Sequence, residues 1–330
     1  MARIVCFGEI MIRLTAPAGE LMLQTPRLDV TYAGAEANVA VSLARFGHDA
    51  AVATVLPDNA LGQATLTELR RYSVDTGHCV MSEGRMGLYF VTIGAGARAS
   101  EVLYDRANSA FARAPDKIDW TKALFGAGWL HISGITPALN AACAEAGLRA
   151  MRAARAAGVR VSFDGNFRAK LWDVRGEDPR PTLDAYLGEA DLVFGDERDI
   201  ALVTGETPAS EEEAARIAFA RYPKLQRIAA TERKVLSADH HELSGMTFTR
   251  SGGVRTRAHV VSGIVDRIGG GDAFAAGVLH GLANGMPDSQ LLDFAVGAAV
   301  LKHTVRGDFN LATASDVAFY LANSGSDVRR

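Results

Sequence analysis

Thiols are scarce in this chain: Cys6, Cys79 and Cys143 are the only three among 330 residues. They are odd in number, widely spaced and set among apolar or Ala-rich neighbours, so a disulfide framework and a cysteine metal site both fit poorly. Three buried structural thiols are expected. Basic runs are absent too: the formal net charge is -3, no Lys/Arg-rich tract occurs, and the chain offers no field to a polyanion, which argues against nucleic acid as a partner. No stretch approaches the roughly 20 apolar residues that span a bilayer. The opening Met1-Ala2-Arg3-Ile4-Val5-Cys6 lacks the longer apolar core of a signal peptide. No membrane partner and a cytoplasmic location are expected. Several catalytic signatures are missing as well. Without any Gly-Lys pair there is no ordinary P-loop, and Gly94-Ala95-Gly96 lacks the third glycine of a dinucleotide fingerprint. His240-His241-Glu242 lacks the second histidine of a zinc helix, and no Gly-x-Ser-x-Gly elbow is present. His131, flanked by Leu130 and Ile132, reads as a structural histidine.

What the chain does have is hydrophobic content: 48% of residues are hydrophobic against 22% charged, enough to bury a large core. Short β-branched runs alternate with Ala/Leu-rich stretches, the pattern of parallel strands joined by crossover helices. Strands are expected at Ile4–Gly8, Ala50–Val55, Gly128–Ser133, Val159–Asp164, Asp191–Phe194, Gln226–Ala230 and Arg257–Val261. Helices are expected at Ala35–Phe46, Leu61–Tyr72, Ala138–Ala157, Glu211–Arg221, Gly271–Ala283 and Asp288–His303. The rhythm breaks at Met86–Arg106, which reads as two strands around Gly94-Ala95-Gly96-Ala97. With Met11–Leu14 and Val30–Tyr32 this segment makes a small antiparallel flap. No repeat, low-complexity tract or linker divides the chain, so the expectation is one domain, 1–330, with lid elements at about 11–32 and 86–106.

The sharpest local feature is Ile268-Gly269-Gly270-Gly271-Asp272-Ala273-Phe274, a loop running into a helix. Consecutive glycines let bare backbone approach a ligand, and N–H groups at a helix N-terminus point at an anion. Asp272 follows at once. Beside a bound phosphoryl group it can accept a proton from an attacking hydroxyl while those N–H groups hold the charge growing on the phosphate. On the local pattern alone, a glycine-rich turn with a dipole-favoured aspartate is an equal reading.

The run Gly269–Gly277 resembles the C-terminal signature of the ribokinase-like (PfkB-type) carbohydrate kinases, and Gly34-Ala35-Glu36-Ala37-Asn38 resembles their N-terminal signature. Asp58 with Gly62, Asp164-Gly165-Asn166 and Asp196-x-x-Asp199 fall between them in the family's order, from about Ile4 to Asp308. Within that family the likeness is to 2-keto-3-deoxygluconate kinases. It rests on Gly8-Glu9-x-Met11, His131-Ile132-Ser133-Gly134-Ile135-Thr136-Pro137, Asp164-Gly165-Asn166-Phe167-Arg168-x-x-Leu171-Trp172 and Gly307-Asp308-Phe309. The resemblance implies an α/β fold, a mainly parallel sheet covered by helices on both faces with a small β lid. It implies transfer of the γ-phosphate of ATP, with Mg2+, to the terminal 6-hydroxyl of a small sugar acid, with Asp272 as base. It implies that Gly34, Asn38, Tyr89, Tyr104, Arg106, Arg168 and Asp308 line the sugar-acid site. It further implies that Asn166, Arg168 and Gly269, Gly270 and Gly271 face the nucleotide.

A sugar acid carries a carboxylate that guanidinium groups bind in a forked geometry, and Arg106 and Arg168 are placed by sequence order to supply such forks. Arg13 occupies the position where neutral-sugar members carry an aspartate. Three departures from the family pattern stand out. The threonine before the glycines is Ile268. Asp199 stands where a glutamate organises magnesium, so Asp199 is expected to hold the ion through water. Thr231-Glu232-Arg233-Lys234 replaces a Gly-x-x-Gly, leaving Thr231 and Arg233 to reach the phosphates. The competing readings are a kinase for a neutral sugar, a non-catalytic sugar-binding regulator on the same fold, and a dehydrogenase. The edges of a lid hairpin also suit pairing with a second copy.

Overall fold

Alternation within the first strand shows how the sheet comes to be covered on both faces. In Arg3–Phe7, Val5 and Phe7 enter one hydrophobic cluster while Ile4 and Cys6 enter the other, as a period of two requires. A strand buried on both sides reads as a continuous apolar run, the mark of a parallel sheet. The computed structural model describes residues 2–237 and 239–323. In chain order the strands are β1 (Arg3–Phe7), β2 (Met11–Thr15), β3 (Asp29–Ala33), β4 (Asp49–Pro57), β5 (Asp75–Ser82), β6 (Gly87–Thr92) and β7 (Glu101–Asp105). There follow β8 (Trp129–Ser133), β9 (Arg160–Asp164), β10 (Leu192–Phe194), β11 (Arg227–Ser237), β12 (His240–Thr249), β13 (Gly252–Arg255) and β14 (His259–Ser262).

The large sheet runs β13-β12-β11-β10-β9-β8-β1-β4-β5, with β14 also on β12. Every pairing from β11 through β5 is parallel, and β12 adds an antiparallel edge. The chain starts in the middle: β1 lies between β4 and β8, so the connections diverge from it in both directions. Such a reversal opens a crevice at the C-terminal ends of the strands, where ligands bind in open α/β sheets. The Ala141–Ala156 helix packs on one face, and the Ala35–Arg45, Gly270–Ala283 and Asp288–Lys302 helices pack on the other. No described helix is long and apolar enough to cross a membrane.

The four remaining strands form a second sheet, β3-β2-β6-β7. Its β2–β3 and β6–β7 pairings are antiparallel, and β2–β6 is parallel. Met11, Ala33, Tyr89 and Val91 form its small core, and Ile268, just ahead of the glycines, packs against them. That contact joins the lid to the loop carrying the candidate base.

The expected helix Ala138–Ala157 is two helices, Ile135–Leu139 and Ala141–Ala156. Asn140 between them is extended, with φ -170, and its side chain accepts from Cys143 N at 2.8 Å as a cap. The strand expected at Gln226–Ala230 continues to Ser237 because β12 pairs along its whole length. The one expected at Arg257–Val261 is shorter and antiparallel on β12. All three cysteines are free, Cys6 and Cys143 buried and Cys79 half-buried.

Candidate active site

Four parallel strands end in polar residues at one rim: β1 is followed by Gly8 and Glu9, β8 ends at Ser133, β9 at Asp164, and β10 leads through Gly195 to Asp196. Two adjoining cavities open there, of about 700 Å³ and 540 Å³. The first is walled by β10, β11 and the Gly270–Ala283 helix. The second lies under the lid. Asp164, Asn166, Arg168 and the Gly270-Gly271 backbone line both, so the cavities meet at the glycine turn.

The turn needs glycine most at its first two positions. Gly269 has φ 87, and a Cβ there would lie 2.0 Å from Asp308 O. At Gly270, the second glycine of the run, a Cβ would meet the His303 ring at 2.8 Å. A Cβ on Gly271 would meet nothing within 4 Å, because that position faces the open cavity. No side chain caps this helix, and the N–H groups of its first turn have no intrahelical acceptor. Gly270 N donates to Arg267 O at 3.3 Å, and the Gly271 and Asp272 N–H groups are the donors available to an anion.

Asp272 sits in that first turn, half-buried in the second cavity. Its Oδ2 accepts from Asn38 Nδ2 at 2.7 Å. Burial, opposed by the Asn38 hydrogen bond and reinforced by the charges of Asp164, Asp308 and Glu36, pushes its pKa up to about 8. A carboxylate tuned close to neutrality suits a general base. Asn38 is aimed in turn by the Gly34 N–H at 3.4 Å, and a Cβ on Gly34 would lie 2.4 Å from Glu9 O. Asn38 and Gly34 line the cavity, but the Asn38 amide is already committed to Asp272.

Tyr89 and Tyr104 are register partners on β6 and β7, their rings stacked at 5.8 Å. Both line the second cavity. Tyr104 is 42% exposed, whereas Tyr89 is buried and donates its hydroxyl to Asp308 Oδ2 at 2.6 Å. Arg106 lines the same cavity, with Nε and Nη2 bonded to Glu9 Oε2 at 2.9 and 2.6 Å. Glu9 also accepts from Ser109. One edge of the Arg106 fork is thus occupied, leaving the Nη1 side for a ligand. Arg168, by contrast, is exposed, and among the described residues its side chain bonds only its neighbour's carbonyl, Phe167 O at 3.3 Å.

Arg13 does not face the cavity. It is 1% exposed and bridges Asp266 and Asp308, each at 2.6 Å, so its presence in place of an aspartate does not supply a contact to a substrate carboxylate. Asp308, pushed up by burial against the pull of Arg13, lines the cavity with both oxygens engaged by Arg13 and Tyr89. The pair needs partners 295 residues apart in sequence, and no local pattern announces it.

On the nucleotide side, Thr231 and Arg233 line the first cavity. Asn166 lines both, held with φ 36 in a turn whose N–H reaches Asp164 Oδ1 at 3.0 Å. Asp199 also lines the first cavity, but its Oδ2 accepts from Asp196 N at 3.0 Å as half of a capping box. Burial pushes Asp199 up to about 6 and Asp164 up to about 7, the charge of Asp199 adding to the latter. No group of three or more His, Cys, Asp or Glu suited to a metal occurs among the described residues. His131 is fully internal, bonded to Ser162 Oγ at 3.0 Å, with its pKa down to about 3 through burial.

Glu9, Glu36, Asp164 and Arg267 are among the cavity residues to which the sequence alone gave no role. Glu36 Oε1 accepts from Ser133 N and Oγ, each at 2.8 Å, which ties the Ala35–Arg45 helix to the end of β8. A carboxylate at or just past the end of an expected strand, as in Gly8-Glu9 and Asp164-Gly165, was the available signal for two of them.

This constellation of a glycine turn, a base in the first helical turn and two cavities meeting there defines a phosphotransferase site. The sequence pattern of the pfkB family carbohydrate kinases matches residues 1–313. The chain belongs to that family. It is similar to the 2-dehydro-3-deoxygalactonokinase of Haloferax volcanii, 32% identical across 100% of this chain and 99% of that protein. It is similar also to the 2-dehydro-3-deoxygluconokinase of Bacillus subtilis, 29% identical over 96% of this chain and 95% of the other. Among solved structures, the 2-dehydro-3-deoxygluconokinase of Thermotoga maritima superposes with a TM-score of 0.92 at 37% identity, covering 98% of this chain and 100% of that one.

Proposed function

We propose that the protein is an ATP-dependent kinase of 2-keto-3-deoxy sugar acids, with 2-keto-3-deoxygluconate as substrate and its terminal 6-hydroxyl as acceptor. The observation that carries the reading is the second cavity: a raised-pKa aspartate and four guanidiniums line one enclosure, of which Arg106 and Arg168 are the two assigned here to the sugar side. A neutral sugar has no use for two cations, whereas a sugar acid presents a carboxylate to them. The relatives named for the gluconate and galactonate forms support the same substrate class.

In this reading the sugar acid lies under Tyr89 and Tyr104 with its carboxylate toward Arg168 and the Nη1 edge of Arg106, and its terminal hydroxyl reaches Asp272. Asp272 takes the hydroxyl proton as the oxygen–phosphorus bond forms and the bond from phosphorus to the ADP oxygen breaks. Asn38 aims the base. The Gly271 and Asp272 N–H groups face the transferring oxygens. Thr231, Asn166 and the glycine turn hold the nucleotide. Asp164 and Asp199 fit a hard cation, being two neighbouring carboxyls whose charges oppose each other; they would hold Mg2+, Asp199 through water. When bound, the ion neutralises phosphate charge. We take residues 1–330 as a single kinase domain with the small sheet as its lid, and the exposed Val30 and Leu103 on that sheet as the place where a second copy would pair.

Coupled ADP release tests the reading with both 2-keto-3-deoxy epimers and with fructose and ribose. Turnover of an acid with weak or no turnover of the neutral sugars is expected. Preference for a neutral sugar overturns the acid assignment.

A further inference from the structure

Two guanidiniums stand where the cavities meet with nothing to bind. Arg233 on β11 and Arg267, two residues before Gly269, each line both cavities. Neither makes an ion pair or a side-chain hydrogen bond among the described residues, in contrast to Arg13 and Arg106, which are held by buried acids. Their charges act on each other: burial and Arg267 together lower the pKa of Arg233. Arg168, the third guanidinium of the junction, acts instead on Asp164 and Asp199. Two like charges assembled without a counter-ion cost stability, and the cost is recovered when an anion arrives between them.

The backbone beneath Arg267 is fixed. Its carbonyl accepts from Gly270 N at 3.3 Å, which closes the glycine turn onto it. The preceding Asp266 is pinned by Ile268 N at 3.1 Å, Gly307 N at 3.1 Å and Arg13 at 2.6 Å. Arg233 stands in ladder register with Leu243 of β12. Both side chains therefore spring from rigid elements, as preorganised electrostatic catalysis requires. In a kinase the group that must cross from one cavity to the other is the phosphoryl group, whose charge spreads over three equatorial oxygens during transfer.

We propose that Arg233 and Arg267 form a two-guanidinium clamp on the phosphoryl group in transfer, donating N–H bonds to its non-bridging oxygens. The proposal rests on the kinase reading but not on the identity of the sugar. The clamp makes and breaks no covalent bond; Asp272 alone receives the proton. It also gives the Thr231-Glu232-Arg233-Lys234 departure a purpose, since a glycine there carries no charge.

The test is ATP and ADP affinity, measured by calorimetry with Mg2+ on the full chain, for wild type, Arg233→Met, Arg267→Met and the corresponding Lys variants. Turnover is then followed on whichever sugar the wild type phosphorylates, so a wrong sugar assignment shows in the wild-type panel and leaves the clamp test intact. Each Met variant is expected to lose at least tenfold in ATP affinity while ADP affinity stays within threefold. Turnover should fall about 10³-fold, the scale of an arginine finger, with the sugar KM unchanged and partial rescue by added guanidinium or by Lys. Both positions are exposed, and melting temperatures should match wild type. Equal losses for ATP and ADP, or turnover within threefold of wild type, overturn the clamp.

Discussion

Among single residues, Asp272 decides whether the site can transfer a phosphoryl group. Asp272→Asn keeps the shape and the Asn38 contact region but cannot take a proton, so turnover should fall by about 10² to 10⁴ with ATP and sugar affinities within about tenfold. A variant turning over within tenfold of wild type removes Asp272 from the role of base. The pH dependence has a definite sign. A base works deprotonated, and this carboxyl titrates near 8 in the free protein, so kcat/KM should rise with pH up to about 8 and level off above it. A profile flat from pH 6 to 8 contradicts the tuning. Arg106 and Arg168 separate by their partners. Arg168→Ala should raise KM for the acid about tenfold to a hundredfold, the scale of a charge-assisted hydrogen bond of about 1.5–3 kcal/mol, with no change in melting temperature. Arg106→Ala leaves buried Glu9 without its cation, so it should lower the melting temperature as well as raise KM. Equal melting temperatures for the two variants would refute the structural share assigned to the Glu9–Arg106 pair. Sequence order pointed to both arginines, which line the cavity, whereas for Glu9 it offered only a carboxylate directly after an expected strand and nothing about its pairing with Arg106. Nor could it show that Arg13 is enclosed between two aspartates, because that pairing exists only once β2 lies beside the loops holding Asp266 and Asp308.

At the scale of elements, the alternating pattern carried most of the parallel sheet, since β1, β4, β8, β9 and β10 are apolar runs bounded by turns. What stayed hidden follows from short or polar segments. The Pro179–Leu187 helix begins with prolines at its first turn, and the His240–Thr249 strand opens on two histidines and a glutamate. The residues of the lid were legible, with Tyr89 and Tyr104 on paired strands as their distance from the glycine-rich turn implies. The role of Tyr89 is more structural than that reading assumed, because its hydroxyl ties β6 to Asp308. Lid closure on the sugar predicts that β7 amides exchange fast in the free protein and gain protection with the sugar acid more than with ATP alone. Equal protection in all ligand states makes the hairpin a fixed wall. The glycine turn gives a sharper check. Gly269→Ala must place a methyl against Asp308 O in a left-handed conformation, so activity should fall together with melting temperature.

At the scale of the whole molecule, the carboxyls gathered at the strand ends make stability depend on pH. Asp272 titrates near 8 and Asp164 near 7 in the folded chain, both above the unfolded value of about 3.9. The folded state therefore binds more protons than the unfolded one, and stability is lost as pH rises toward 8. His131 near 3 and His280 near 4 act in the opposite sense, losing stability as pH falls below about 6.5. Below pH 6.5 the two effects oppose each other; between pH 7 and 8 the carboxyls dominate, and above about pH 8.5 the thiols of Cys6, Cys79 and Cys143, pushed up by burial, act in the same sense as the carboxyls. The melting temperature should then drop by roughly 2 °C between pH 7 and 8, and Asp272→Asn should remove most of that drop. An unchanged drop in the variant assigns it to other groups.

On the proposed function, the cavity under the lid receives a carboxylate. The most direct measurement is the ratio of kcat/KM for 2-keto-3-deoxygluconate to that for the same sugar with its carboxylate reduced to an alcohol. Both compounds offer the terminal hydroxyl to Asp272, so the ratio isolates the contribution of the acid group. A ratio of at least about 10² is expected, the scale of one or two charge-assisted hydrogen bonds. A ratio near one would mean that Arg106 and Arg168 recognise something other than a sugar acid, and the substrate assignment would fall.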